Sequence, residues 1–197
     1  MKMKKNGIAE IVFILDESGS MGPVRSDTIG GFNSTIQEHQ GTGENIITTV
    51  ILFSNEHRKL FDRVPIDEIP VMTELHYRPH GCTALCDTVA ETITDIMSRQ
   101  NAMPEETRPE KTMVFITTDG LENASTAFSA DAVRKLISNA QENSGWKFVF
   151  YGADFDVVKT ARSYGIAEAD AMTFYKTEEG MNAMRVHRQR KLKDFLN

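Results

Sequence analysis

The chain has 197 residues, of which 40% are hydrophobic and 25% are charged; this composition excludes wholesale disorder and favours a single domain over residues 1–197. Its 22 Lys and Arg residues are outnumbered by 28 Asp and Glu residues, so the formal net charge is −6. That balance argues against a nucleic-acid coat or a membrane-surface protein, because both classes need a basic face.

The N-terminus and the cysteines bear on where the protein works. The basic start Met1–Lys5 imitates the beginning of an export signal. The apolar run after it is too short for such a signal, because it is interrupted by Glu10 and ends at Asp16. No stretch reaches the roughly 20 apolar residues of a membrane span. The cysteines, Cys82 and Cys86, are too few for a disulfide framework. We therefore expect a cytoplasmic protein with reduced thiols and no membrane partner.

Short, continuous apolar runs predict buried strands. They lie at Ile11–Leu15, Ile46–Phe53, Met113–Ile116 and Phe148–Tyr151. The segment Arg58–Val64 follows Phe53 after only four residues. Because that connection is too short for a parallel crossover, the segment is predicted to be an antiparallel strand at the edge of the sheet.

Helical patterns separate these runs. Apolar residues at helical spacing form three stripes, which are Ile29, Phe32 and Ile36; Leu85, Val89, Ile93, Ile96 and Met97; and Val133, Leu136, Ile137 and Ala140. Ser129 is placed to cap the third helix. A fourth, shorter helix is predicted from about Phe155 to Tyr164, with Gly165 at its C-terminal cap. The alternation predicts βαβ units and a mostly parallel, doubly wound α/β sheet.

After a core over about residues 8–175, the chain is predicted to end in a basic helix over about residues 177–196. The apolar face of this helix would consist of Met181, Met184, Leu192, Phe195 and Leu196. The stretch Arg185–Lys193 contains five basic residues and His187. A solvated helix face is the preferred interpretation, and a contact with nucleic acid or an anionic partner is the alternative. Such an ending leaves open whether the natural chain continues beyond Asn197.

Oxygen-bearing side chains follow two of the predicted strands and precede the second helix. In chain order they are Asp16, Ser18, Ser20, Thr83 and Asp119. Ligands of an open parallel sheet bind beyond the carboxyl ends of its strands, so we expect these residues to share one site. In a turn that leaves a strand, residues i, i+2 and i+4 can point to one side.

The chemistry of this set predicts a metal ion. All its members carry hard oxygen ligands, which suit Mg²⁺, or Mn²⁺ or Ca²⁺, better than zinc or copper. Mg²⁺ prefers six oxygens, so a coordination position remains for a guest. Gly19 and Gly22 are expected to let the backbone bend there without a Cβ clash. The alternative is ordinary turn chemistry, in which Asp and Ser cap helices without binding an ion.

In its order and spacing the set resembles the metal-ion-dependent adhesion site of von Willebrand factor A (vWA) domains. The matching segments are Asp16-Glu17-Ser18-Gly19-Ser20, Gly81-Cys82-Thr83-Ala84-Leu85 and Thr117-Thr118-Asp119-Gly120. The resemblance covers the chain from about Ile8 to Phe174. It implies a six-stranded Rossmann-like sheet with one antiparallel edge strand and helices on both faces. One departure is Cys82, where the family often has a second glycine.

The resemblance also implies a role for each residue of the set. Ser18 and Ser20 would coordinate the ion directly, and Thr83 directly or through water. Asp16 and Asp119 would bind mainly through waters, and an acidic side chain of a partner protein would complete the shell. Stand-alone relatives of this kind occur in tellurium-resistance and stress-response settings and beside chelatase-like ATPases, which makes an ATPase or a stress-response complex a candidate partner.

Two carboxylates near the set receive ordinary roles. Glu17 is expected to point into solvent, with tuning of ion affinity or repulsion of acidic partners as the alternative. Asp87 lies one helical turn after Thr83, and we expect it to steady the Thr83 loop through a hydrogen bond rather than to bind the ion.

The histidines and cysteines nearby are also interpreted as bystanders. His76 and His80 are expected to be solvent-facing loop histidines, since no third imidazole accompanies them to form a mixed metal site. Cys82 and Cys86 are expected to be inert, buried or half-buried thiols, because nothing basic lies beside them to stabilise a thiolate.

Three classes of function follow. The preferred one is a binding module, not an enzyme, that captures an acidic residue of a partner through Mg²⁺. The second is a Mg²⁺-dependent phosphohydrolase with Asp16 as nucleophile, although the haloacid-dehalogenase-type pattern requires a second Asp where this chain has Ser18. The third is a scaffold whose metal is purely structural.

Overall fold

The computed structural model describes residues 7–197. The basic start Met1–Lys5 lies outside the described residues, so its interpretation stays a prediction. The strands are β1 (Ala9–Asp16), β2 (Ile46–Phe53), β3 (His57–Pro65), β4 (Lys111–Thr118), β5 (Lys147–Gly152) and β6 (Ala171–Thr173). The α-helices are α1 (Arg25–His39), α2 (Leu85–Ala102), α3 (Ala130–Ser144), α4 (Val157–Ser163) and α5 (Glu178–Leu196).

The residues that the structure describes form a six-stranded sheet in the order β3-β2-β1-β4-β5-β6. β3 pairs antiparallel with β2, and the other neighbours pair in parallel. This arrangement confirms the predicted doubly wound sheet with one antiparallel edge strand. The strand order reverses between β1 and β4, so their carboxyl ends form the switch point at which ligands of such sheets bind. β6 has three residues and no apolar run, which is why the sequence pattern does not locate it.

Apolar layers pack on both faces of the sheet. β1 is buried along its whole length, as a continuous apolar run predicts for a strand covered on both sides. On one face, Phe13 stacks on Phe115 with 5.4 Å between ring centroids and meets Phe32 of α1 edge to face at 5.3 Å. On the other face, Val12 and Ile14 pack in a cluster with residues of α2, α3 and α4. That the whole chain is one domain stays a prediction.

The helix ends follow the predicted capping with one difference. The Ser129 hydroxyl accepts a hydrogen bond from the Ala132 amide at 3.3 Å and caps α3 as predicted. α4 begins at Val157, two residues later than predicted, because Asp156 caps it. Gly165 adopts a φ of +81° just after this helix. Between residues 7 and 197, no helix combines the length and apolar character needed to cross a bilayer.

The C-terminal helix α5 departs from its prediction at Arg188. The solvated-face interpretation is wrong for this residue, which is 2% exposed. Its Nε donates to the Thr35 hydroxyl of α1 at 3.2 Å, and its guanidinium lies 5.8 Å from the ring centre of Phe13. Helical spacing places Arg188 four residues after Met184 and four before Leu192, both buried, so the apolar stripe carries the arginine inward.

Candidate metal centre

The carboxylates of Asp16 and Asp119 are brought to the same edge of the sheet by strand register. Asp16 ends β1, and its neighbour Leu15 pairs with Thr117 of β4. Thr118 ends β4, so Asp119 follows directly at the switch point. Parallel pairing in register is therefore what places two residues so distant in sequence at one point.

Asp16 is fully buried and both of its carboxylate oxygens are occupied. Oδ1 accepts from the Ser18 amide at 2.7 Å, and Oδ2 accepts from the Thr118 hydroxyl at 2.6 Å. The Asp16 carbonyl accepts from the Tyr77 hydroxyl. Burial raises the pKa of Asp16, and its hydrogen bonds with Thr118 and Ser18 offset only part of that rise. The first turn after β1 thus holds this carboxylate in a fixed orientation.

Ser18, Ser20 and Asp119 form a chain of side-chain contacts. The two serine hydroxyl oxygens lie 3.1 Å apart, and the Ser20 hydroxyl donates to Asp119 Oδ1 at 2.6 Å. Ser18 and Asp119 are buried, whereas Ser20 is exposed, so the cluster opens to solvent at Ser20. The hydroxyls of Ser18 and Ser20, two residues apart in this turn, therefore lie on the same side of the backbone.

In the loop before α2, position 81 requires glycine. It adopts a φ of +69°, and a Cβ built there would lie 2.1 Å from Asn55 Oδ1. The Gly81 carbonyl accepts from the Gly19 amide at 3.1 Å, which ties this loop to the turn after β1. The prediction that glycine avoids a Cβ clash at positions 19 and 22 is wrong: a Cβ on Gly19 would lie 3.6 Å from the Gly81 carbonyl oxygen, one on Gly22 would meet nothing within 4 Å, and neither residue adopts a positive φ.

Thr83 is joined to the segment that follows Asp119. Its amide donates to Asn123 Oδ1 at 2.8 Å, and its carbonyl accepts from the Asn123 amide at 3.1 Å. The buried Thr83 hydroxyl oxygen lies 3.5 Å from the point that a Cβ on Gly120 would occupy. The structure thus brings Asp16, Ser18, Ser20, Thr83 and Asp119 to one edge of the sheet.

Glu122, which sequence reasoning missed, fixes the start of α2 to the loop after β4. Its Oε2 accepts from the Cys86 amide at 2.7 Å, and its Oε1 accepts from the Ala124 and Ser125 amides at 2.9 and 2.7 Å. Burial raises the pKa of Glu122, but these hydrogen bonds outweigh it and hold the pKa below its ordinary value. Because Glu122 lies 36 positions after Cys86 in the chain, no local sequence pattern marks this contact.

Asp87 has a different role from the one predicted. Its carboxylate accepts hydrogen bonds from the Thr126, Ala127 and Phe128 amides at 2.8, 3.1 and 2.7 Å. It therefore steadies the loop that precedes α3 rather than the Thr83 loop. Together with Glu122 it joins α2 to the segment after Asp119.

Glu17 is buried, so the prediction that it points into solvent is wrong. Its side chain is 3% exposed and accepts from Arg58 Nη2 at 3.2 Å and from the Arg78 amide at 3.3 Å. The Glu17 carbonyl accepts from the His80 amide at 2.7 Å. This carboxylate therefore anchors the segment around residues 78–80 against the turn after β1.

Lys176 contacts the site and was not anticipated. Its Nζ donates to Asp119 Oδ2 at 2.8 Å and lies 2.6 Å from Asp154 Oδ2. Burial alone lowers the pKa of Lys176, but hydrogen bonds to the two carboxylates and their charges raise it overall. No periodic pattern marks this lysine, because the contact joins Lys176 to a residue 57 positions away.

The histidines are loop residues, as predicted, but they are not free. His80 is exposed, and its Nε2 lies 3.1 Å from the Ser54 hydroxyl. His76 is half-buried, and its Nδ1 accepts from the Thr73 amide at 3.1 Å. Across residues 7–197, no cluster of three or more His, Cys, Asp or Glu side chains is arranged for a metal ion. A site here would therefore depend on hydroxyl oxygens as well as carboxylates.

The two thiols differ, contrary to the prediction that both are buried or half-buried. Cys82 is exposed and Cys86 is buried. Burial raises the pKa of Cys86 to about 11, and its contact with the Tyr164 hydroxyl lowers it only in part. Cys86 is therefore the inert thiol, because the thiolate is the reactive form.

We expect only one thiol of the folded chain to react rapidly with a disulfide reagent such as DTNB at pH 8. About one thousandth of Cys86 is thiolate at that pH, and its side chain is also shielded. Absorbance should report one fast thiol per chain and a second only after unfolding. Cys82→Ser should remove the fast phase; two fast thiols in the native parent would contradict the burial of Cys86.

The donor set fits a hard divalent cation. It consists of two carboxylates and three hydroxyls, with no sulfur or imidazole, and three of its members already contact one another. Oxygen ligands of this kind suit Mg²⁺, Mn²⁺ and Ca²⁺. The exposed Ser20 leaves a route for an ion and for a further ligand from solvent.

Comparison with solved structures identifies the fold. Proximal thread matrix protein 1 (PTMP1) from the mussel byssus superposes with a TM-score of 0.67 and 14% identity over 93% of this chain and 46% of its own. Manganese-loaded TRAP protein of Plasmodium vivax superposes with a TM-score of 0.59 and 17% identity, over 81% of this chain and 63% of TRAP. The pilus adhesin SpaC of Lactobacillus rhamnosus GG superposes with a TM-score of 0.71 and 14% identity, over 98% of this chain and 31% of SpaC. The chain has the vWA fold.

These similarities concern the fold, because all the identities are below 20%. No protein-family model and no curated protein sequence matches this chain. The chain spans about half the length of PTMP1 and less than two thirds of TRAP. Two of the neighbours hold divalent metals: TRAP is loaded with manganese, and one PTMP1 structure has zinc in its MIDAS motif, where MIDAS denotes the metal-ion-dependent adhesion site.

Proposed function

We propose that this protein is a metal-dependent protein-binding module. Its divalent cation would be held by Asp16, Ser18, Ser20, Thr83 and Asp119, and Mg²⁺ is the ion that we assign from the donor set. The observation that carries the proposal is the contact chain from Ser18 through Ser20 to Asp119, at the switch point of a vWA fold. When bound, the cation would supply a positive point that attracts a carboxylate.

The charge balance supports an acidic ligand from the partner. The chain has a net charge of −6, so an acidic surface would be repelled without a local positive centre. The two carboxylates of the site balance a divalent ion, and a guest carboxylate would complete its oxygen shell. We infer that the partner presents an Asp or Glu side chain to the ion.

Exposed apolar side chains support a protein as the partner. Leu121 is 58% exposed and lies two residues after Asp119; Tyr175 is 72% exposed and is adjacent to Lys176, which contacts Asp119. Exposed apolar groups beside a polar site are typical of protein-binding surfaces. An ATPase or a stress-response complex remains our candidate for that partner.

We propose that the protein works in the cytoplasm. The thiols of Cys82 and Cys86 are free, which is typical of a reducing compartment.

The phosphohydrolase alternative is less well supported. Its nucleophile would be Asp16, which is fully buried and already accepts hydrogen bonds on both oxygens. A nucleophilic carboxylate must present an oxygen to the substrate. The burial of Asp16 therefore favours a role in holding the site.

A retention experiment tests the proposed function. The immobilised chain is incubated with cell extract in Mg²⁺ or in EDTA, beside a Ser18→Ala/Ser20→Ala double variant. A matched control, Ser26→Ala/Ser98→Ala, removes two exposed hydroxyls outside the site. We expect a partner that is retained by the parent and the control in Mg²⁺, with at least tenfold less in EDTA or on the site variant. Equal retention with and without metal would reject the proposal and favour a scaffold.

A further inference from the structure

Lys176 is the cationic group that the fold itself places on the candidate metal site. It lies between β6 and α5, and its Nζ lies 2.8 Å from Asp119 Oδ2 and 2.6 Å from Asp154 Oδ2. The Asp119 side chain is 0% exposed and the Lys176 side chain is 22% exposed. The lysine thus reaches a carboxylate that solvent does not reach.

Asp119 is satisfied on both oxygens in this arrangement. Oδ1 accepts from the Ser20 hydroxyl at 2.6 Å while Oδ2 accepts from the ammonium. A carboxylate that is paired with an ammonium group offers less negative potential to a second cation nearby. The same ammonium also repels a divalent ion placed at the serine hydroxyls.

We propose that Lys176 is an internal competitor of the divalent cation and sets the affinity of the site for it. This inference rests on the proposed function, because it concerns the same site. The lysine neutralises Asp119 when no ion is bound, and the ion binds only as far as it outcompetes the ammonium for that carboxylate. Metal affinity is therefore weaker than the five oxygen donors alone would provide.

A purely structural role for Lys176 is the alternative. Asp154 adopts a φ of +65°, and an ammonium between two carboxylates reduces their mutual repulsion. Such a role predicts lower stability without the lysine and no gain in metal affinity. The two roles therefore differ in the sign of the change in metal affinity.

Isothermal titration with Mg²⁺ and with Mn²⁺ at fixed ionic strength tests the competition. We expect Lys176→Met to bind the ion about tenfold more tightly than the parent, which corresponds to about 1.4 kcal/mol. Lys176→Arg keeps the positive charge and should stay within about threefold of the parent.

Lys191→Met is the matched control. Lys191 also pairs with an aspartate, Asp170, at 2.7 Å, and its side chain is 21% exposed, but it lies on α5 away from the site. It should change metal affinity less than twofold, since the same loss of net charge occurs at a distance. Circular dichroism of the metal-free proteins checks folding, and Lys176→Gln replaces Lys176→Met if the latter fails to fold.

The outcomes separate the two proposals. Tighter binding by Lys176→Met, with Lys191→Met unchanged, supports the competition. Binding by the parent together with equal or weaker binding by Lys176→Met and Lys176→Gln overturns it and leaves the proposed function standing. Absence of binding by the parent and by every variant at millimolar metal overturns both.

Discussion

Asp16→Asn is expected to abolish the metal-dependent part of the protein's stability. An ion that binds only the folded chain, at about 100 times its Kd, raises the free energy of unfolding by about 2.7 kcal/mol. Asparagine keeps an oxygen for the Ser18 amide, which donates to Asp16 Oδ1 at 2.7 Å, but it removes the charge that balances the cation. In the variant we expect Mg²⁺ to raise the free energy of unfolding by less than about 0.5 kcal/mol. Urea unfolding with and without Mg²⁺ measures this increase for parent and variant.

Asp131→Asn is the control for the loss of a carboxylate. Asp131 pairs with Lys135 on the exposed surface of α3, so this variant should keep the full rise with Mg²⁺. If Asp16→Asn also keeps it, the assignment of the metal site is wrong.

Without metal, Asp16→Asn should be at least as stable as the parent. Burial raises the pKa of Asp16, so its charged form costs stability. This destabilisation is absent in acid, where the Asp16 carboxyl is protonated in both the folded and the unfolded chain. The destabilisation develops as the pH rises from the ordinary pKa of an aspartate, which applies to the unfolded chain, to the raised pKa of Asp16 in the folded chain. The difference between variant and parent should therefore be larger at pH 7 than at pH 3, which unfolding at both pH values tests.

Arg188→Met is expected to raise the free energy of unfolding by about 1–2 kcal/mol. Arg188 Nη2 has no hydrogen-bond partner, and within residues 7–197 the guanidinium makes no ion pair. Burial lowers the pKa of Arg188 to about 10, which means that its surroundings disfavour the charge. Methionine keeps an unbranched chain for packing against Phe13 and removes the desolvated charge. Urea unfolding monitored by circular dichroism measures the change.

Two further variants separate the effect of the buried charge from the effects of packing and of net charge. Arg188→Ala also removes the charge but leaves a cavity between α1 and α5, so it should be less stable than the parent by about 2–4 kcal/mol. Arg190→Met makes the same change of charge at an exposed position of α5 and should stay within about 0.5 kcal/mol of the parent. A loss of more than about 1 kcal/mol in Arg188→Met would show that the contacts of the guanidinium with Thr35 and with the Phe13 ring stabilise the fold more than the buried charge costs.

The sheet and helices could be predicted because local signals mark them. Ile11–Leu15 is a continuous apolar run, Ile46–Phe53 is interrupted only by Thr48 and Thr49, and both segments lie in buried interior strands of the sheet. Four residues between Phe53 and Arg58 left room only for a hairpin, and β3 is antiparallel. β6 was not located, because three partly exposed residues carry no periodicity. The edge at which the candidate site lies could be predicted for the same reason, since the apolar runs stop just before Asp16 and Asp119.

What the sequence by itself determined is the order of the elements and the hydroxyl and carboxylate residues that follow β1 and β4. Only the tertiary structure decided the surroundings of those residues: Lys176 lies on Asp119, Glu17 is buried beneath Arg58, and Arg188 packs against Thr35. Each of these contacts joins separate elements. The spacing from Met184 and Leu192 places Arg188 on the buried side of α5. Which groups each of these charged side chains contacts depends on sheet register and helix placement, which no local spacing encodes.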